Sequence, residues 1–179
     1  YAFLACGRDG LRIVDISLTI YEVNPSGSLD TPGSSRAVKV LGNRVYLADS
    51  NAVYIYDITD LPSQISLVDS INSQDADLHA VGIDVVDNTV VVANGDYGIL
   101  LWNLSTGETE EYENGEFCRD VTLKGKTIYA ADEEYGLRIY DFSLEETLLE
   151  VGSFPTSGNA QSAAVSDLGD RIYVADGLG

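Results

Sequence analysis

A short pattern that returns about every forty residues constrains this chain more than any other feature of its sequence. Each copy has an apolar run that ends in Ala, then a polar loop, then a second apolar run that ends in Asp or Asn. The alanines that mark the copies are Ala5, Ala48, Ala93, Ala131 and Ala175, which lie 43, 45, 38 and 44 residues apart. Such a period is typical of proteins in which every repeat is one supersecondary unit.

The apolar runs predict strands and not helices. They are short, rich in Val, Ile and Tyr, and bounded by Gly, Asn and Asp, and none shows a sustained helical stripe. In the second repeat we place strand A at 35–41, B at 44–49, C at 52–58 and D at 65–71. Strands B and C are almost continuously apolar, which indicates a sheet that is buried on both faces.

Four-stranded sheets with two buried faces stack around an axis in β-propellers. The sequence therefore predicts an all-β fold, a β-propeller of four-stranded antiparallel blades, incomplete at about four and a quarter blades. We predict a single propeller segment over 1–179, with blades and partial blades at 1–23, 35–71, 79–114, 117–154 and 160–179. Because open strand edges invite pairing, we expect the remaining blades or other copies of the chain to cover them.

Two turns recur at fixed places in the repeat. Strands A and B are joined by dipeptides that tolerate positive φ: Gly42-Asn43, Asp87-Asn88, Gly125-Lys126 and Gly169-Asp170. The Asp or Asn that ends strand C has Ser or Thr two residues later, so its side chain is suited to accept a backbone N–H in the C–D turn. A metal ligand or catalytic carboxylate is the alternative, but repetition in four copies favours the structural role.

The strand C segments Leu11–Ser17, Val53–Thr59 and Leu137–Ser143 resemble the LVIVD-repeat family of β-propellers. The third repeat departs from the pattern, with Trp102-Asn103 where an apolar residue and Asp are expected. The resemblance implies a bacterial or archaeal propeller that is often secreted or held at the cell surface, and it transfers no catalytic residue.

The charge of the chain excludes some partners. With 29 acidic and 10 basic residues the net charge is −19, which repels nucleic acid and anionic lipid. No apolar run is long enough for a membrane span, so direct membrane insertion is not expected. Cys6 and Cys118 lie three blades apart, beyond the roughly 7 Å within which two cysteines can be bridged, so we predict no disulfide between them.

The polar residues of one rim are the candidates for ligand binding. In an A–B–C–D meander the B–C and D–A loops share a rim, and the start of strand A lies nearest the axis. The candidates near the axis are Arg36, His79, Arg119, Asp120 and Gln161. Arg36 and Arg119 occupy the same repeat position and could hold a carboxylate bidentately. Alternatively, each arginine pairs with an acid of a neighbouring blade.

Acid-rich loops on the same rim contain Asp96, Asp132 and Glu133, whose oxygens are ligands that Ca²⁺ accepts. The dense alternating Asp pattern of a dedicated calcium loop is missing. We therefore predict no cofactor, with Ca²⁺ at these three residues as the alternative.

We expect a non-enzymatic module of a cell-surface or secreted protein that serves protein or glycan interaction or structural assembly. No nucleophile elbow, phosphate loop or dinucleotide fingerprint is present. The alternative is a ligand-binding or hydrolytic propeller with its site on the B–C and D–A rim.

Overall fold

A computed structural model describes residues 1–17, 24–72, 77–113, 117–143 and 148–177. Within these ranges the secondary structure consists of seventeen β-strands and no helix, and accordingly no described segment is a helix able to cross a membrane. The chain divides into an N-terminal part, Tyr1–Ala80, and a C-terminal part, Val81–Gly179.

The N-terminal part contains two antiparallel sheets whose strands follow chain order. The first sheet has three strands, β1 (Ala2–Ala5), β2 (Leu11–Asp15) and β3 (Asn24–Leu29). The second has four, β4 (Ala37–Leu41), β5 (Arg44–Ala48), β6 (Ala52–Asp57) and β7 (Ser66–Asn72). These four strands confirm the predicted strands A to D of the second repeat. The first repeat extends beyond its expected end at residue 23, because β3 supplies its strand D.

The C-terminal part holds two four-stranded sheets and one two-stranded sheet, again antiparallel and in chain order. The third repeat forms β8 (Gly82–Val86), β9 (Thr89–Ala93), β10 (Ile99–Asn103) and β11 (Thr109–Tyr112). The fourth forms β12 (Asp120–Lys124), β13 (Thr127–Ala131), β14 (Leu137–Asp141) and β15 (Leu149–Phe154). The fifth contributes β16 (Ala160–Val165) and β17 (Ile172–Asp176). The predicted all-β fold of four-stranded antiparallel blades is confirmed; that the blades form one segment over 1–179 stays a prediction.

Burial explains the continuous apolar runs of the middle strands. In the third repeat, β9 and β10 are buried on both faces from Val90 to Ala93 and from Ile99 to Trp102. Each fully buried aliphatic side chain contributes about 1.5–3 kcal/mol relative to exposure. Strand A of the fourth repeat, β12, packs beside β8 and β16, so the first strands of successive blades are neighbours.

Both turn predictions are confirmed. The A–B turns have positive φ at Gly42, Asp87, Gly125 and Gly169. In the C–D turns an Oδ1 atom accepts the N–H two residues later at Asp15, Asp57, Asn103 and Asp141, over 2.6–2.9 Å. Hydrogen bonds from Ser17, Thr59 and Ser143 lower the pKa values of the three aspartates. The residue that ends strand C is therefore a turn-forming residue.

Candidate functional site

Among the described residues, one contact between a B–C loop and the start of the next repeat occurs twice in each part of the chain. The second residue of the B–C loop forms an isolated β-bridge with a residue of the next repeat, which lies two positions before strand A or, at Ala160, begins it. The bridged pairs are Gly7–Ser35, Ser50–Ala80, Gly95–Cys118 and Glu133–Ala160. The bridging residue of the B–C loop has positive φ in all four cases, at 59°, 55°, 56° and 37°. The expectation that these two loops lie together is confirmed.

Asp49, the residue directly after β5, holds the D–A loop that precedes its own blade in place by hydrogen bonds. Its Oδ1 accepts hydrogen bonds from the hydroxyls of Thr31 and Ser35 at 2.9 and 2.8 Å, and its Oδ2 accepts the Gly33 N–H at 2.9 Å. The carboxylate is fully buried. A side chain at position 33 would collide with the backbone of Asp49, so the loop requires glycine there. Burial, with smaller contributions from neighbouring charges including Asp49, raises the pKa of Tyr56 to about 12.

Asp176 repeats this arrangement at the end of β17. Its Oδ2 accepts the hydroxyl of Ser157 at 3.2 Å and the N–H of Gly158 at 2.9 Å. These hydrogen bonds, with one from Thr156 that has the largest effect, lower the pKa of Asp176. In the second and fifth repeats, a Thr-x-Gly sequence before strand A is thus hydrogen-bonded to the Asp that follows the marker alanine of strand B. This role of the Asp after the marker alanine was not predicted from the sequence.

Asp132, the equivalent residue of the fourth repeat, is fully buried and has different neighbours. Its Oδ2 lies 3.7 Å from Arg138 Nε and 3.5 Å from the hydroxyl of Tyr140. Burial, together with the charge of Asp132, raises the pKa of the Cys118 thiol well above its usual value. Such a thiol is a poor nucleophile at neutral pH. Asp132, Arg138, Tyr140 and Cys118 therefore form a structural cluster.

Arg119 meets an acid of its own blade. Its guanidinium contacts Glu133 Oε1 from Nε at 2.7 Å and from Nη2 at 2.6 Å, and it also lies 4.9 Å from the ring centre of Phe117. The backbone of Arg36 has the position equivalent to that of Arg119, because each N–H bonds to the marker alanine of strand B, Ala48 or Ala131. The equivalence predicted from the repeat is confirmed, and in Arg119 the guanidinium is engaged by Glu133.

Asp120 is half-buried between two neighbouring strands. Its Oδ2 accepts the hydroxyl of Ser162 on β16 at 2.6 Å. Burial raises the pKa of Asp120, although the Ser162 hydrogen bond acts in the opposite direction. Asp84 on β8, which was not among the predicted site residues, is buried and accepts the N–H of Leu123 at 2.8 Å. Both carboxylates join strand A of one blade to strand A of the next.

The other predicted site residues have simpler surroundings. Arg36 is exposed and His79 is half-buried, both in the N-terminal part. Gln161, in the C-terminal part, is exposed and donates from Nε2 to the carbonyl of Asn159 at 3.2 Å. The structure brings Asp120 and Gln161 to the starts of adjacent strands. A shared ligand for the five residues stays a prediction.

The three residues considered for calcium do not form a metal-binding group. Asp96 is exposed, Asp132 lies against Arg138, and Glu133 is paired with Arg119. Among the described residues, no group of three or more His, Cys, Asp or Glu side chains is arranged to hold a metal ion. The thiols of Cys6, exposed, and Cys118, buried, are both free.

The sequence profile of the LVIVD repeat matches residues 1–26, 32–73 and 117–156, which is more than half of the chain. The chain belongs to the LVIVD-repeat family. The third repeat, β8–β11, lies outside the matched residues. This agrees with the Trp102-Asn103 pair, at which its strand C differs from the pattern of the other repeats.

Solved structures share this fold at low sequence identity. A chain of the mitotic checkpoint complex is 15% identical with a TM-score of 0.76, and the match covers 93% of this chain and 52% of that one. The computationally designed Ika8 protein is 12% identical with a TM-score of 0.69, over 97% and 52%. The designed Ika4 protein is 15% identical with a TM-score of 0.60, over 82% and 92%.

The LVIVD-repeat chain spans about half the length of the first two of these structures. At such identities the likeness shows the fold alone. No curated protein matches the chain.

Proposed function

We propose that the chain is a non-enzymatic interaction module of a cell-surface or secreted protein, and that its B–C and D–A loops form the contact surface. The observation behind the proposal is that polar side chains able to take part in catalysis make contacts that hold the fold together. Asp49 holds a D–A loop, Asp120 joins two strands, and Glu133 pairs with Arg119. Side chains held in such contacts make the loops rigid, which suits a binding surface better than an active site.

Three further features support an interaction role. Loops fixed by a regular scaffold are where binding residues concentrate. The four bridges between loops and following strands fix the rim of each part. The net charge of −19 disfavours nucleic acid and favours partners with cationic groups. The surface location follows from the usual habitat of LVIVD-repeat proteins and is itself part of the proposal.

Binding to glycan and peptide arrays tests the proposal directly. The immobilised chain should give saturable binding to at least one array member. A charge reversal on the rim, Glu134→Lys, should weaken that binding, whereas Lys126→Glu in an A–B turn should leave it unchanged. Binding that both variants alter equally, or a complete lack of saturable binders, would refute the interaction role.

An activity screen separates this proposal from the hydrolytic alternative. Ester, phosphomonoester, glycoside and peptide substrates should be left intact by the chain over the buffer control. For the hydrolytic alternative, Asp120 is the candidate catalytic acid, because its pKa is raised by burial and it lies at the start of strand A. Turnover that disappears in Asp120→Asn, in a variant that still folds, would establish the enzyme.

A further inference from the structure

Two B–C loops of the C-terminal part have the same three-residue ending, an acid, Tyr and Gly. They are Asp96-Tyr97-Gly98 and Glu134-Tyr135-Gly136. Tyr97 is 38% exposed and Tyr135 is 46% exposed. The acids that precede them are exposed as well. Two large aromatic side chains therefore stand at equivalent points of neighbouring blades.

The same backbone turn holds both tyrosines. The Tyr97 N–H bonds to the carbonyl of Asn94 at 3.1 Å, and the Tyr135 N–H bonds to the carbonyl of Asp132 at 2.9 Å. In each loop the next glycine has positive φ, 78° at Gly98 and 79° at Gly136. The two side chains leave the scaffold from matching, well-defined positions.

The fold itself does not require an aromatic residue in this turn. The loop of the first repeat makes the same turn, with the N–H of Asp9 bonded to the carbonyl of Cys6 at 3.1 Å. Asp9 stands where the other two loops have tyrosine. Packing on the strand C arginine does not explain both rings either. Arg138 lies 5.0 Å from the Tyr135 ring centre, but the equivalent of Arg138 in the third repeat is Leu100.

The two loops belong to one continuous rim. Gly95 is bridged to Cys118, whose neighbour Arg119 pairs with Glu133 in the next B–C loop. We call this the rim surface, and it consists of Asp96, Tyr97, Phe117, Arg119, Glu134 and Tyr135. Acidic side chains outnumber basic ones here, because Asp96 and Glu134 are exposed and the guanidinium of Arg119 contacts Glu133.

We propose that the rim surface binds a basic segment of a partner protein, with Arg or Lys side chains placed on Tyr97 and Tyr135 and paired with Asp96 and Glu134. This inference rests on the proposed interaction role and names the class of partner. Aromatic faces attract guanidinium and ammonium groups, and the adjacent carboxylates provide charge-assisted hydrogen bonds. Two rings of the rim surface already make such contacts within the chain, Phe117 with Arg119 and Tyr135 with Arg138 of strand β14.

Fluorescence anisotropy with a labelled Arg-Ser repeat peptide, at about 150 mM salt to limit long-range attraction, tests the inference. The chain should bind this peptide and should not bind a Glu-Ser repeat peptide. Tyr97→Ser combined with Tyr135→Ser should weaken binding about tenfold, through the loss of two cation–π contacts. The matched control, Tyr1→Ser combined with Tyr173→Ser, removes two other exposed tyrosines and should leave the affinity unchanged.

A second pair of variants separates the rim surface from the overall charge. Asp96→Asn with Glu134→Gln should weaken binding, whereas Glu108→Gln with Glu110→Gln makes the same charge change elsewhere and should not. Equal loss in both pairs would overturn the inference, because any acidic protein would then serve.

The array experiment completes the test. If neutral glycans bind and the two tyrosine substitutions abolish that binding, the partner is a glycan, so the peptide inference fails while the interaction role stands. If neither peptides nor glycans bind, both fail.

Discussion

The third and fourth repeats place different side chains around the same buried position. The residue directly after strand B is fully buried in both, as Asn94 in the third repeat and Asp132 in the fourth. Strand C then supplies Leu100 and Trp102 in the third repeat. A buried charge is costly unless it is paired, whereas a neutral amide needs only hydrogen bonds.

In the fourth repeat, strand C supplies Arg138 and Tyr140 beside the carboxylate of Asp132. The neutral residue thus occurs with the apolar strand and the charged residue with the polar one. We infer that, in these two repeats, the residue after strand B and the residues of strand C form a coupled set.

Strand pairing differs in the same way. A register shift follows the isoleucine that lies two residues before the final Asp of strand C in three repeats, at Ile13, Ile55 and Ile139. Strands β10 and β11 of the third repeat pair without a shift. The three shifted strands are the ones that the LVIVD profile matches. A bulge bends and twists a strand, so the motif includes a local backbone distortion as well as a set of side chains.

The largest expected effect comes from Trp102, which is 2% exposed and stands where the second and fourth repeats have Tyr56 and Tyr140. Trp102→Ala should lower the free energy of unfolding by about 3–5 kcal/mol, because a large buried ring leaves a cavity. Equilibrium urea denaturation measures this change. The exposed-site control Tyr173→Ala should cost far less.

Trp102→Tyr sharpens the comparison between the repeats. It introduces the residue that the second and fourth repeats carry, but into surroundings that include Leu100 and the neutral Asn94. We expect a loss of stability smaller than that of Trp102→Ala. Full wild-type stability in Trp102→Tyr would show that these positions are independent and would contradict the coupled set.

A smaller effect is expected when the second repeat receives the amide of the third, as Asp49→Asn. The amide can still accept from the hydroxyls of Thr31 and Ser35, but its NH₂ group then faces the N–H of Gly33. One buried donor without an acceptor costs about 1–3 kcal/mol. Urea denaturation should show this loss, while Asp60→Asn on the surface should show almost none. An unchanged midpoint in Asp49→Asn would mean that the carboxylate is not needed to hold the loop.

The sequence was sufficient for the fold because every level of it repeats. Marker alanines, apolar runs and turn dipeptides all follow one period, so the strands of the second repeat could be placed almost residue by residue. The role of Asp57 in its turn was also predictable, because an Asx turn involves only neighbouring residues. The role of Asp49 was not, since its partners Thr31 and Gly33 lie on a loop that only the folded blade brings close. The pairing of Arg119 with Glu133 likewise depends on tertiary placement.

The smallest effect concerns the C–D turns and is a matter of pH. Hydrogen bonds from Ser143 lower the pKa of Asp141, whereas Asn103 forms the same turn without a titratable group. The stability that ionised Asp141 provides is therefore present above the unfolded-state pKa, near 3.8, and is lost as the pH falls through the lower folded-state value. Asp141→Asn should be slightly less stable than the wild type near neutral pH, and the difference between their urea midpoints should shrink in acid. The reciprocal Asn103→Asp should add acid sensitivity to the third repeat, and a midpoint difference that stays constant with pH in both variants would show that the two turns are held by the same neutral hydrogen bond.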